Sequence, residues 1–155
     1  EHSGDHIKIE VAANPEMHPQ ADSFDLDIKR FCDKANAGAN AALTQFFFNP
    51  DAYFYFVDRI QKEGVNIPVA PGIMPITNAS NLIRFADGTG AEIPRWIRKQ
   101  LATYGDDTAS IKAFGHEVIV KLCERLIAGG APSLHFYTMN TTDPTRQLVL
   151  DLGLA

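Results

Sequence analysis

The sequence of this chain predicts an α/β fold, with four βα units arranged around a parallel sheet. Segments rich in β-branched and apolar residues alternate with segments whose apolar residues recur at helical spacing. Capping residues and glycines stand where the helical segments begin and end. Alternating strands and helices are typical of a parallel sheet with right-handed crossovers. The pattern alone leaves open whether the sheet is doubly wound or part of a barrel.

The individual elements follow from local signals. Two prolines in the third strand segment indicate an irregular strand end. Strands are predicted over residues 7–13, 41–47, 67–73 and 133–139. Helices are predicted over residues 22–37 and from Asn49-Pro50 to Gly64, with further helices starting at Asn78 or Ser80, at Pro94, at Asp107 and at Asp143-Pro144. Glycines at positions 129–130 and 153 are expected to end the last two helices.

The composition is that of one globular domain over residues 1–155, with 45% apolar and 21% charged residues. The formal net charge is −5 and the basic residues are scattered, which argues against a nucleic-acid surface. No apolar run approaches the roughly 20 residues that a membrane span needs. No strand precedes a GxGxxG or GxxxxGK[ST] turn, so nucleotide binding by a glycine-rich loop is not indicated.

The two cysteines, Cys32 and Cys123, fall in predicted helices among apolar neighbours. We expect two reduced, buried thiols in a cytoplasmic protein. No Cys/His spacing suggests a metal site. Residues 1–5 carry neither an initiator Met nor a signal-peptide pattern, so the chain is expected to come from the middle of a longer gene product.

Several polar or aromatic residues near the predicted strand ends are candidates for a site. His18 lies in a proline-bounded loop, where a lone histidine is more often solvated or locally bonded than a ligand contact. Gln45 interrupts an apolar strand, and a buried amide costs about 1–3 kcal/mol unless it is hydrogen-bonded. It either satisfies a neighbouring strand or faces a ligand. Phe85 can equally be a core residue.

Five segments, taken together and in order, resemble the methylenetetrahydrofolate reductase family in its bacterial form. They are VAANPEMHP (11–19), AGANAALTQFFFN (37–49), PGIMPITN (71–78), IPRW (93–96) and HFYTMN (135–140). The resemblance covers essentially the whole chain and implies strands five to eight of an eight-stranded (βα) barrel. It also implies FAD held non-covalently, NADH or NADPH as co-substrate, and reduction of 5,10-methylenetetrahydrofolate to 5-methyltetrahydrofolate, which supplies methyl groups for methionine synthesis.

The same resemblance assigns roles residue by residue. His18, Ala21, Asp27 and Lys34 resemble FAD-binding positions, and Gln45 resembles the glutamine that hydrogen-bonds the pterin. Phe85 resembles an aromatic residue that packs on the folate or nicotinamide, and Tyr137 lies in the strand on the substrate side. The chain departs from the family pattern at Asn14, Arg30, Asp33, Asn81 and Thr141. Asp33 is expected to repel a pyrophosphate unless Arg30 takes over.

The family's general acid and its FAD aspartate belong to the first four strands, so the resemblance assigns no catalytic residue to this chain. We therefore expect a reductase fragment that is inactive alone and needs the other half-barrel or a second copy. The alternative is a non-catalytic half-barrel module. In either case two parallel edge strands and an open apolar interior favour homo-oligomers.

Overall fold

The computed structural model describes residues 7–155. The expectation of a longer gene product was drawn from residues 1–5, which lie outside the described residues. Four parallel strands form one sheet in the order β1-β2-β3-β4. The strands are β1 (Glu10–Ala13), β2 (Ala41–Phe46), β3 (Val69–Ile73) and β4 (His135–Phe136). The predicted α/β class with four βα units in sequence order is confirmed, and the chain order of the strands is also their spatial order.

Within residues 7–155, six helices connect and follow the strands. They are α1 (Phe24–Asn36), α2 (Pro50–Lys62), α3 (Ala79–Thr89), α4 (Arg95–Tyr104), α5 (Thr108–Ala128) and α6 (Asp143–Asp151). The side chains of Asn49, Asn78 and Asp107 accept hydrogen bonds from first-turn amides, as their positions predict. Ser23 caps α1, and its hydroxyl accepts from the Leu26 amide, so this helix begins two residues later than predicted.

The outer strands are shorter than predicted. Residues 7–9 do not join β1, because the Ile9 amide donates to the Asn40 side chain at 2.8 Å instead of entering a strand ladder. β4 ends after two residues, since the chain then turns through Met139 and Asn140, both with positive φ. The predicted strands over residues 7–13 and 133–139 were therefore too long at both edges of the sheet.

The two faces of β2 differ in burial. Ala42, Thr44 and Phe46 are buried, whereas the alternate residues, including Leu43 and Gln45, are half-buried. Because strand side chains point alternately to opposite faces, one face packs on the helices and the other is partly open. Cys32 and Cys123 are buried and unpaired among the helices, as expected.

The pairing of β2 with β3 is irregular in the centre of the sheet. Leu43 is paired with Ala70 and Phe46 with Gly72, so β2 carries one extra residue at this point. The Thr44 hydroxyl, which is fully buried, accepts a hydrogen bond from the Gly72 amide at 2.8 Å. A side chain thus replaces the ladder partner that the bulge removes.

Replacing Thr44 with Val should destabilise the fold, because Val fills the same space but leaves the Gly72 amide without an acceptor. We expect a loss of about 1–3 kcal/mol in the free energy of unfolding, measured by urea denaturation. Thr44→Ser keeps the hydroxyl and is the matched control. A Val variant as stable as the Ser variant would contradict this role of the hydrogen bond.

Candidate functional site

A cavity of about 340 Å³ opens where β1 ends, between the following loop and α1. It brings together three of the side chains that the sequence singled out, His18, Asp27 and Lys34. Arg30 lines the cavity as well, and Asp33 does not. Asp33 is thus outside the lining, and its effect on a pyrophosphate stays a prediction. Two cations, an imidazole and a carboxylate share a cavity at the strand end where α/β folds bind ligands.

Hydrogen bonds within the loop determine what each group can offer a ligand. Asp27 Oδ2 accepts from the His18 amide at 2.8 Å, so this carboxylate holds the loop against α1. His18 Nδ1 accepts from the Gln20 amide at 3.1 Å. In the neutral imidazole the proton then resides on Nε2, which can donate outward. Ala21 is outside the cavity lining, and its amide closes the turn by donating to the His18 carbonyl at 2.9 Å.

The two cations retain donors that the protein does not use. The Lys34 ammonium donates to the Ala12 carbonyl at the end of β1 and lies 5.5 Å from the Phe31 ring centroid. An ammonium has three donors, so one such bond leaves two. Arg30 forms no ion pair with any residue in the range 7–155. This donor set suits a phosphate-bearing ligand, since a guanidinium can bind two oxygens at once and an ammonium acts as a point charge.

Gln45 lies at the bulge of β2, on the partly open face of the sheet. Its Oε1 accepts from the amide of the next residue, Phe46, at 3.0 Å. The amide side chain therefore satisfies its own strand at the bulge, rather than a neighbouring strand. Bulges commonly redirect side chains near functional sites, and this one sets the direction of Gln45.

Tyr137 follows β4 and is tied to the same bulge. Its hydroxyl donates to the Thr44 carbonyl at 3.0 Å, and its ring meets the Phe46 ring edge-on at 6.5 Å between centroids. Burial raises the pKa of Tyr137, so the phenol stays protonated. A Cβ on Gly72 would lie 2.7 Å from the Tyr137 ring and 2.2 Å from the Thr44 carbonyl oxygen, so only glycine admits this contact.

Phe85 lies apart from both groups. It is half-buried on α3, packed against the core, with the Arg84 guanidinium carbon 5.1 Å from its ring centroid. Neither Phe85 nor Tyr137 lines the cavity beside β1. The structure thus unites His18, Asp27 and Lys34, and leaves Gln45, Phe85 and Tyr137 distributed over β2, α3 and the end of β4.

Sequence reasoning passed over Glu16, which lies in the loop after β1. Its Oε2 accepts from the Glu92 amide at 2.8 Å, and burial is the main cause that raises its pKa to about 7. The Glu92 charge raises the pKa further, and the hydrogen bond from the Glu92 amide lowers it. Glu16 and Gln45 line one small cleft of about 10 Å³. Local pattern carries no signal for this contact, because the partner is 76 residues away.

Another cavity within residues 7–155, of about 630 Å³, contains none of the predicted site residues. It lies between α5 and α6, where His116 Nε2 is 2.7 Å from Asp151 Oδ2 and where Thr141 lines the wall.

Within residues 7–155, no group of three or more His, Cys, Asp and Glu side chains is arranged to hold a metal ion. The helices that the structure describes are all too short or too polar to cross a membrane.

Comparison with known proteins identifies the family. The family profile described as "Methylenetetrahydrofolate reductase" matches residues 1–153. The chain is 38% identical to 5,10-methylenetetrahydrofolate reductase of Buchnera aphidicola and 36% identical to that of Escherichia coli, in each case over 146 residues and 94% of the chain. It is also 38% identical over 153 residues, 99% of the chain and 25% of the relative, to methylenetetrahydrofolate reductase 1 of Schizosaccharomyces pombe.

A solved structure agrees at the level of the fold. It is a protein from Clostridium thermocellum, described as binding two copies of 5-methyl-5,6,7,8-tetrahydrofolic acid. It matches with a TM-score of 0.61 and 19% sequence identity, over 94% of this chain and 52% of its own.

The chain spans about half the length of the two bacterial relatives, 50% and 49%. The family match over residues 1–153 shows that the chain belongs to the methylenetetrahydrofolate reductase family.

Proposed function

We propose that this chain provides the FAD-pyrophosphate side of a methylenetetrahydrofolate reductase active site. The observation that carries the proposal is the cavity at the end of β1, where His18, Arg30 and Lys34 face one space. Family membership supplies the type of reaction, and the donor set suits the two negatively charged phosphates of the cofactor.

Each residue of the cavity has a distinct part in this proposal. Arg30 and Lys34 neutralise the pyrophosphate, and His18 Nε2 donates to a phosphate or ribose oxygen. Asp27 acts mainly through the loop, because its Oδ2 already accepts from the His18 amide. Ala21 contributes the turn that positions His18 and no polar side-chain contact.

The substrate side involves Gln45 and Tyr137 at the bulge of β2, together with Phe85 on α3. We assign hydrogen bonding of the pterin to Gln45, packing on the folate or nicotinamide to Phe85, and the boundary of the substrate side to Tyr137. Bound FAD would supply a carrier for a hydride from NADH or NADPH to the methylene carbon of 5,10-methylenetetrahydrofolate, so that 5-methyltetrahydrofolate is available for methionine synthesis.

We assign no catalytic proton donor within residues 7–155. Glu16 is the acid with the most favourable pKa, but its cleft of about 10 Å³ admits no more than about one water molecule. Its carboxyl group therefore has no room to reach a substrate. We propose that residues 1–155 alone do not complete the reaction, and that the proton donor comes from another part of the enzyme. A cytoplasmic location remains a prediction.

Removing a cation from the cavity should weaken FAD binding. For Lys34→Ala and for Arg30→Ala we expect the dissociation constant to rise about five- to tenfold, through the loss of one charge-assisted contact. Quenching of flavin fluorescence during titration with the full chain measures it. Lys29→Ala is the matched control, since Lys29 is an exposed lysine on the same helix and outside the cavity. Equal affinities of the Lys34 and Lys29 variants, or no binding by the wild-type chain, would contradict the proposal.

We further propose that the sheet is completed by additional strands, from the other half of a barrel or from a second copy of this chain. β1 and β4 each pair with one neighbour within residues 7–155, and β2 leaves one face partly open. Unpaired edges with half-buried apolar residues favour association. The isolated chain should therefore sediment above its monomer mass of 17.1 kDa, in a concentration-dependent way. A single monomeric species at all concentrations would contradict self-association.

A further inference from the structure

Two segments that are distant in the sequence meet above the carboxyl ends of the strands. One is the loop of residues 14–19, after β1, and the other is the segment of residues 89–93, between α3 and α4. Glu16 Oε2 accepts a hydrogen bond from the Glu92 amide at 2.8 Å, across 76 residues of chain. This hydrogen bond links the loop that borders the cavity beside β1 directly to the chain that follows α3.

A second close approach accompanies this hydrogen bond. Gly90 has φ of +75°, and a Cβ placed on it would lie 2.8 Å from Pro19 Cγ. On the other side, Met17 has φ of 90°, an uncommon conformation for a residue with a side chain. Such a conformation persists only where its surroundings hold it, so the two segments fix one another.

The two segments close a cleft against Gln45. Glu16, Gln45 and residues 89–91 line it, and its volume of about 10 Å³ leaves room for roughly one water molecule. Placing a half-buried carboxyl group in the lining of this cleft costs free energy, because burial disfavours the charged form. Its hydrogen bond to Glu92 is the compensating contact that the structure offers.

We propose that Glu16 is a positioning residue that clasps the segment of residues 89–93 onto the loop of residues 14–19 and so fixes the wall beside Gln45. The contact between the two segments is observed directly in the structure of residues 7–155. Its effect on substrate binding rests on the proposed function, in which Gln45 contacts the folate. Glu16 acts through the segment it holds, because one oxygen is engaged and the cleft excludes a substrate.

Hydrogen exchange of the full chain, followed by mass spectrometry, tests the clasp directly. Glu16→Ala removes the acceptor, and amides in residues 89–93 should exchange about tenfold faster or more. Glu16→Gln keeps an acceptor oxygen of the same reach and should restore slow exchange. Glu124→Ala, at an exposed glutamate of α5, is the matched control and should not alter exchange there.

A second variant covers the case in which Glu16→Ala fails to fold. Glu16→Asp keeps the charge but shortens the side chain by one methylene, so it should lose the reach to the Glu92 amide and resemble the Ala variant. Exchange in residues 89–93 that stays within twofold of wild type in the Ala variant, or in the Asp variant if the Ala variant does not fold, would overturn the clasp.

The pH dependence of the same exchange distinguishes a clasp from a merely structural contact. The charged group that acts on Glu16 is Glu92, on the facing segment, while Asp27 holds the loop of Glu16 through the His18 amide. Closure raises the pKa of Glu16 from 4.5 to about 7, so the closed form is favoured at low pH and loses stability as pH rises through 7. Protection of residues 89–93, corrected for intrinsic exchange rates, should fall roughly 50- to 100-fold from pH 5 to pH 8, because most of the interval between the two pKa values lies in this range. In Glu16→Gln it should stay constant, and equal pH profiles would contradict the proposal.

Affinity for 5-methyltetrahydrofolate, measured by calorimetry, tests the effect on the substrate side. We expect Glu16→Ala to bind about fivefold more weakly, and Glu16→Gln to bind as the wild type does. Equal affinity of all three would overturn the positioning role. A wild-type chain that binds FAD but no folate would contradict the proposed substrate site, and the exchange comparison then decides the clasp alone.

Discussion

The hydrogen bond between the Thr44 hydroxyl and the Gly72 amide is the constraint on which the site side of this sheet depends. It lies in the centre of the sheet, where β2 carries one residue more than β3. Without an acceptor at this point a buried amide would remain unsatisfied, at a cost of about 1–3 kcal/mol. The bulge also places Gln45 on the partly open face and leaves the Thr44 carbonyl free for the Tyr137 hydroxyl. Structural and site residues are thus adjacent along one strand.

The loop after β1 depends on a similar compensation of polar groups. Asp27 on α1 holds the His18 amide, and Lys34, from the last turn of the same helix, meets the Ala12 carbonyl at the end of β1. One helix therefore positions both sides of the cationic cavity. Glu16 joins this loop to the segment of residues 89–93, so the cationic cavity and the cleft beside Gln45 share a single loop of residues 14–19.

Periodicity and capping residues predicted most of the fold, because these are local signals. Asn49 and Asp107 cap the helices that they were expected to cap, and of the two candidates for α3, Asn78 and Ser80, the cap is Asn78. The edge strands were predicted too long, since their ends are set by side-chain bonds and turns and not by apolar composition. The resemblance placed His18, Asp27 and Lys34 in one site, and they share a cavity. Neither the Thr44 bond nor the Glu16 contact could be predicted, because each joins residues far apart in the sequence.

Phosphorus NMR can establish whether the cavity beside β1 receives the phosphates of FAD, as we propose. The two pyrophosphate resonances of FAD report the environment of those phosphates without depending on catalysis. Adding the chain should shift or broaden both resonances, and Lys34→Ala should reduce the effect. Unchanged phosphorus resonances, alongside flavin or adenine proton resonances that do respond to the chain, would contradict the proposal.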